Sequence, residues 1–166
     1  MIILTDKQIR QKVRRLAYEI IEQNTEEKVI WLAGINNNGY AFAKILANEL
    51  RQIKDLTTEI RLCNIRINPA SPTTTDITTD IDPKTMRHHT VIIVDDVSNT
   101  GRTIFYAFKP FLNYLMKKVQ IAVLVQRMHK QFPVHVDFIG LSLATTIHEN
   151  IEVVLASHEK WEARIT

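Results

Sequence analysis

Apolar residues at Ile9, Val13, Leu16, Ala17, Ile20 and Ile21 recur every three or four positions, the stripe of a helix that buries one side. Thr5-Asp6-Lys7-Gln8 ahead of them has the form of a capping box, in which the Thr hydroxyl takes an orphan amide and Gln reaches back to the cap. The helix is therefore predicted to start here and to end at polar Gln23-Asn24. Val29-Ile30-Trp31-Leu32-Ala33 is apolar on both faces and closed by Gly34, which suits a buried parallel strand. Phe42, Ile45, Leu46 and Leu50 return to helical spacing and predict a second helix that begins just after Gly39. Ile60, Leu62, Ile65 and Ile67 predict another strand, whose alternation Asn64 interrupts.

Residues 68–89 carry three of the five prolines among many Thr and Asp, so neither a helix nor a long strand is predicted there. A stretch of this length suits a functional lid or a disordered insertion. Val91–Val94 is the most apolar strand candidate. Thr103–Met116 follows as a predicted helix, with Ile104, Ala107, Phe108, Phe111, Leu112 and Leu115 on its buried side and a kink at Pro110. Ile121–Val125, Phe138-Ile139 and Ile151–Leu155 complete the strands, and Trp161–Ile165 adds a last edge strand. This alternation predicts an α/β fold, an open parallel sheet flanked by helices, in one domain over residues 1–166. Gly34 and Gly101 fall at the carboxyl ends of strands, where such sheets bind ligands.

Composition acts mainly by exclusion. Cys63 is the single cysteine, which rules out an internal disulfide and any zinc site with two or more thiolates. No apolar run approaches the roughly 20 residues of a membrane-spanning helix. The N-terminus puts apolar residues before basic ones, unlike a secretory signal, so a cytoplasmic protein with no membrane partner is expected. His88-His89, His129, His135, His148 and His158 include no helical metal-binding pair. A net charge of +3, from 21 Lys plus Arg and 18 Asp plus Glu, permits anionic ligands without demanding nucleic acid. Lys7, Arg10, Lys12, Arg14 and Arg15 offer basic positions to RNA, but five acids in the first 30 residues balance them, and a solvated helix face is the favoured reading.

The richest segment is the thirteen residues from Val91 to Thr103, where a buried strand leads to Asp95-Asp96 and a small polar loop opens a helix. Backbone amides of residues 99–103, the hydroxyls of Thr100 and Thr103 and the positive end of the helix can cradle a phosphate monoester. Asp95 and Asp96 can accept hydrogen bonds from sugar hydroxyls or hold magnesium through water, with no direct protein ligand to metal required. On a strict strand they point to opposite faces, so both serve one ligand only where the strand twists out.

Val91–Thr103 resembles the phosphoribosyl pyrophosphate (PRPP) motif of the type I phosphoribosyltransferases, an aliphatic quartet, Asp-Asp, then Thr-Gly-x-Thr; Ser98 stands where that family usually has an aliphatic residue. Leu124–Pro133 and Asp137–Gly140 are similar to the branch of pyrimidine-operon attenuation regulators that are also uracil phosphoribosyltransferases. The resemblance implies a parallel sheet with a small hood and a flexible loop, here about residues 68–89, and assembly into a homodimer or larger. It implies PRPP and magnesium as ligand and cofactor, and transfer of ribose 5-phosphate to a nucleobase such as uracil with release of pyrophosphate. Asp95 and Asp96 become the catalytic pair, and Val97, Ser98, Asn99, Thr100, Gly101, Arg102 and Thr103 the PRPP site. Asn36, Asn37, Asn38 and Gly39 become the pyrophosphate loop, and Arg127, Phe138, Ile139 and Gly140 the base site.

Two departures bear on activity. Asn36–Asn38 replace a loop that carries Lys and Arg in the resembled branch, and neutral donors bind an anion less strongly than charged ones. The spacing Gly34 to Gly39 imitates a nucleotide-binding P-loop, yet Tyr40-Ala41 stands where Lys and Ser or Thr are needed, which excludes that chemistry. After the strand ending near Ile67, Asn68-Pro69-Ala70-Ser71 replaces the Arg and acids of the relatives, leaving Arg66, Lys84 or Arg87 to supply a cation. The expectation is weak turnover, or a PRPP- or nucleotide-binding regulator that has lost efficient catalysis.

Overall fold

The computed structural model describes residues 1–146, 148–156 and 160–166. In chain order it contains β1 (Ile2–Leu4), α1 (Asp6–Glu22), β2 (Val29–Ile35), α2 (Asn36–Arg51), β3 (Glu59–Arg66), β4 (Thr78–Thr79) and β5 (Thr90–Ser98). Then come α3 (Arg102–Ala107), β6 (Lys118–Arg127), β7 (Phe138–Leu143), β8 (Ile151–Val154) and β9 (Glu162–Ile165). Thr5 caps α1 with the reciprocal Gln8 bond, as its sequence predicts.

Strands β3, β2, β5, β6 and β7 pair in parallel in that order, and β4 adds an antiparallel edge beside β3. Pleating sends alternate residues to opposite faces, and both faces are covered. Leu32, Ile92 and Val94 meet Leu16, Ile20, Phe42 and Leu46 from α1 and α2. Trp31, Ala33, Val91 and Ile93 meet Met86, Ile104 and Phe111 on the other side. The continuous apolar runs of β2 and β5 are the signature of this double burial. Among the described residues no helix is long and apolar enough to cross a membrane.

Four expectations change. The terminal strands do not extend the parallel sheet; β1, β9 and β8 form a separate antiparallel sheet with β9 in its centre. Its Leu4, Val153 and Ala163 are buried in the same core as α1. The helix expected over Thr103–Met116 stops at Ala107, because Pro110 lacks the amide a further turn requires, and a short 3-10 turn, Lys109–Phe111, follows. Leu112 and Leu115 consequently stand 74% and 73% exposed instead of buried. The second helix starts at Asn36, not after Gly39, so the three asparagines are its first turn. Residues 68–89 are partly regular: Thr78-Thr79 pairs with Ile65-Arg66, Asp82 caps the 3-10 turn Pro83–Met86, and Met86 is fully buried.

The broken third helix sets a test in thermal or denaturant unfolding. Leu112→Ser with Leu115→Ser is expected to change stability by no more than about 0.5 kcal/mol, as exposed sites do. Ile104→Ala is expected to cost roughly 2–5 kcal/mol. Equal losses from the two would restore the long helix.

Candidate active site

The chain leaves β2 toward β3 on one side, whereas β5 leads away to β6 on the other, so a crevice opens between the carboxyl ends of β2 and β5. Two cavities lie there. One, of about 550 Å³, is lined by Ser98–Thr103, Gln131 and Phe132. The other, of about 510 Å³, is lined by Asn36, Asn37, Asn38, Arg66 and Asp96. Pro69, Asp95 and Thr103 line both, which makes them two compartments of one cleft.

Asp95 and Asp96 stay within β5, yet both reach this cleft. The ladder to β6 pairs Asp95 with Val123 and Val97 with Val125, passing over Asp96. Each carboxylate instead turns back on the next amide: Asp96 N donates to Asp95 Oδ1 at 2.9 Å and Val97 N to Asp96 Oδ1 at 2.9 Å. Burial, and then the neighbouring Asp96 carboxylate, push Asp95 well above the ordinary carboxylate range. The first turn of α2 comes this close because residue 39 is glycine; a Cβ there would stand 2.8 Å from Val94 O and 3.2 Å from Asp95 Oδ1.

The asparagine turn is held by a residue whose role the sequence reading missed. Asn64 Nδ2 donates to Gly34 O and to Asn36 O, both at 3.0 Å, and Asn64 is itself clamped to Asp80 by backbone and side-chain bonds. The interrupted alternation in β3 was its signal. Asn36 takes a left-handed φ of 51°, which Asn tolerates better than most residues. Its side chain is committed, accepting from Ile67 N at 3.0 Å and donating to Ile67 O at 2.9 Å. Asn37 Oδ1 accepts from Arg66 Nη1 at 2.8 Å, which brings one of the three candidate cations into the cleft. Asn38 is exposed, and Ile35 provides no side-chain cap, so the first-turn amides of α2 remain available as anion donors.

In the other compartment the loop turns through Gly101 at φ 87°, a left-handed conformation that favours glycine. Thr100 Oγ1 accepts from Arg102 N at 3.3 Å, and Arg102 Nη2 donates to Pro69 O at 2.7 Å, tying the start of the 68–89 segment to the loop. Val97 packs half-buried against the core, and Ser98 is buried.

The four residues expected around a base are not brought together. Phe138 is fully buried beneath α1, whereas Ile139 packs on the opposite face of the sheet. The carbonyls of Ile139 and Gly140 accept from Arg15 Nη2 at 3.1 and 2.9 Å. Arg127 fastens the segment after β7, donating to Thr145 Oγ1 and Thr146 O at 2.7 Å each, and reaches Asn99 Oδ1 at 3.4 Å. His129 Nε2 donates to Thr145 O at 2.7 Å, while His158 lies outside the described residues. Burial pushes the Cys63 thiol up to about 12, so it is no nucleophile. Among the described residues no group of three or more His, Cys, Asp or Glu side chains could hold a metal ion directly.

Comparison with known proteins agrees with this layout. A model of the phosphoribosyl transferase domain matches residues 2–158. The chain is 33% identical over 162 residues to the bifunctional protein PyrR of Microcystis aeruginosa, covering 92% of this chain and 89% of that protein. It is 34% identical over 164 residues to the pyrimidine operon regulatory protein of Lactococcus lactis, with 95% and 91% covered. Its fold is shared with a hypoxanthine-guanine phosphoribosyltransferase of Bacillus anthracis, at TM-score 0.70 and 20% identity over 86% of this chain and 82% of that one. The hypoxanthine phosphoribosyl transferase of Trypanosoma cruzi is similar at TM-score 0.72 and 17% identity, with 87% and 78% covered. The aliphatic strand, the paired aspartates and the Thr-Gly-Arg-Thr turn at the switch point thus sit in a chain that belongs to the phosphoribosyl transferase domain family.

Proposed function

We propose that this protein transfers ribose 5-phosphate from PRPP to a ring nitrogen of a nucleobase, with uracil or another pyrimidine as the acceptor. The observation that carries this reading is that Asp95 lines both compartments and Asp96 the second, while each compartment offers neutral donors to an anion. PRPP has that shape: a phosphate at one end, a pyrophosphate at the other, and sugar hydroxyls between. The loop Ser98–Thr103 takes the 5-phosphate, the two aspartates accept from the ribose hydroxyls, and the first turn of α2 with Arg66 receives the pyrophosphate. A bond forms between the base nitrogen and C1 of the ribose as the bond from C1 to pyrophosphate oxygen breaks, and the proton of the ring N–H leaves to water or to the departing pyrophosphate. Such a reaction depends on positioning and on stabilising a cationic sugar.

The adjacent carboxylates of Asp95 and Asp96, with the Asn38 carboxamide, form an all-oxygen donor set that suits Mg²⁺ bound through its waters. Magnesium bound with PRPP neutralises charge on the pyrophosphate. The pyrimidine acceptor rests on the relatives named for a pyrimidine operon. The same names support a second reading, a regulator with little turnover. One observation favours it: Arg66 is the cation lining the pyrophosphate compartment, in place of a charged loop. Contact with RNA finds limited support, since Arg10 is paired with Asp6 and Arg15 with Glu19, leaving Lys7, Lys12 and Arg14 without ion pairs among the described residues.

Pyrophosphate release from PRPP and Mg²⁺, with each common base offered separately, tests the reaction; uracil is the expected acceptor. Asp96→Asn and Arg66→Ala are each expected to lower kcat/KM for PRPP at least tenfold, a loss of about 1.4 kcal/mol. Folded protein that binds PRPP but releases nothing with any base supports the regulator; unchanged PRPP affinity in Asp96→Asn contradicts the assigned roles.

Asp95 carries a pH prediction. Its folded pKa is raised, so between the unfolded value of 3.8 and that raised value the native state holds a proton the unfolded chain has lost. Stability therefore falls as pH rises through this window. Asp95→Asn is expected to raise Tm at pH 7, by about 2–4 °C for each kcal/mol relieved, while weakening PRPP binding. A lower Tm would show the carboxylate to be structural.

A further inference from the structure

Between Ser98, the last residue of β5, and Arg102, the first of α3, residues 99–101 belong to neither element, and their support comes from the segment after β6. Gln131 N and Phe132 N both donate to Thr100 O, at 2.9 and 3.2 Å. Lys130 Nζ donates to Ser98 Oγ at 2.7 Å and to Asn99 O at 3.3 Å. The Lys130 stem runs beneath the turn, with its Cδ 3.6 Å from where a Cβ of Gly101 would stand. Two successive carbonyls, those of residues 99 and 100, are thereby drawn to one side.

A trans peptide points its N–H opposite to its C=O. Drawing Asn99 O onto Lys130 turns the Thr100 N–H away from it, and drawing Thr100 O onto the 131 and 132 amides does the same to the Gly101 N–H. Neither amide has a protein acceptor among the described residues. Both residues line the larger-volume compartment of the cleft. The Lys130 side chain is exposed overall, with its ammonium partly covered where it meets Ser98, and no carboxylate lies within 4.0 Å of it among the described residues. An ammonium group so placed is stabilised when an anion occupies the far side of the loop.

We infer that Lys130 is a positioning residue for the 5-phosphate, anchoring Ser98 and Asn99 from behind so that the Thr100 and Gly101 amides face the anion. This rests on the PRPP reading and deepens it: the end of the substrate that carries the phosphate monoester is recognised by backbone amides set by a cation that does not line the cavity. Partial covering of its ammonium holds the Lys130 pKa below its ordinary value, in keeping with the lack of a carboxylate partner.

Calorimetric titration of the full chain with ribose 5-phosphate and with inorganic pyrophosphate separates this role from a general structural one. Lys130→Met is expected to weaken ribose 5-phosphate about tenfold, or about 1.4 kcal/mol, and pyrophosphate less than twofold. Lys130→Arg should restore most of the loss. In kinetics the same variant should raise KM for PRPP and leave kcat within twofold. Ser98→Ala, which removes one anchor without touching the lysine, should cost about threefold for ribose 5-phosphate, and nothing further when added to Lys130→Met; it also serves if Lys130→Met does not fold. Unchanged ribose 5-phosphate affinity in either single variant, or equal losses for both ligands, overturns the role of Lys130 while PRPP binding by the parent stands. A parent protein that binds neither ligand overturns the PRPP reading and this inference together.

Discussion

A methyl group on residue 39 would stand 2.8 Å from Val94 O, so the first turn of α2 meets the end of β5 across bare backbone. That contact sets the width of the crevice. It lets the amides that open α2 and the carboxylates that close β5 share one cavity, although they belong to elements that depart in opposite directions from the switch point. Asn64 then fixes the turn between β2 and α2 from the β3 side, through two carbonyls at 3.0 Å. Loss of either constraint would separate the anion donors from the aspartates without disturbing the sheet.

The cleft stores electrostatic tension in consequence. Two carboxylates stand side by side in it, and burial resists ionisation of Asp95. The surrounding donors include amides, carboxamides and hydroxyls, with Arg66 lining one compartment, Arg102 the other, and the more distant Lys130 behind the loop. Such a site is better satisfied by a ligand that brings hydroxyl donors to the aspartates and negative charge to both ends than by water. The stability it forgoes is the usual cost of a preorganised site.

Sequence reasoning reached this site because its main signal is local. Val91–Thr103 is one uninterrupted stretch, and a strand, two acids and a small-residue turn are legible from thirteen residues. The parallel core was equally legible from double-sided burial of Val29–Ala33 and Val91–Val94. What was lost depended on distant partners. The pairing of β1 with β9 joins the two ends of the chain, and no periodicity announces it. Phe138 alternates with Ile139 across a buried sheet, so apolar character there reports core as readily as a base pocket. Gly39 read as the start of a helix because glycine usually marks an entry, whereas here it is an interior position demanded by close approach. Helical spacing carried the third helix past Pro110, although Ala107 is its last residue. Asn64 and Lys130 act through backbone carbonyls of residues far away in sequence, a role residue type alone does not reveal.

On the proposed reading, one cleft holds PRPP with its 5-phosphate on the Ser98–Thr103 loop and its pyrophosphate at the start of α2. A crystal structure of the protein with PRPP and Mg²⁺ tests it most directly. The 5-phosphate is expected within hydrogen-bond distance of the Thr100 and Gly101 amides, ribose hydroxyls on Asp95 and Asp96, and pyrophosphate oxygens beside Asn38 and Arg66. A ligand bound in the reverse sense, or outside the crevice between β2 and β5, would contradict it.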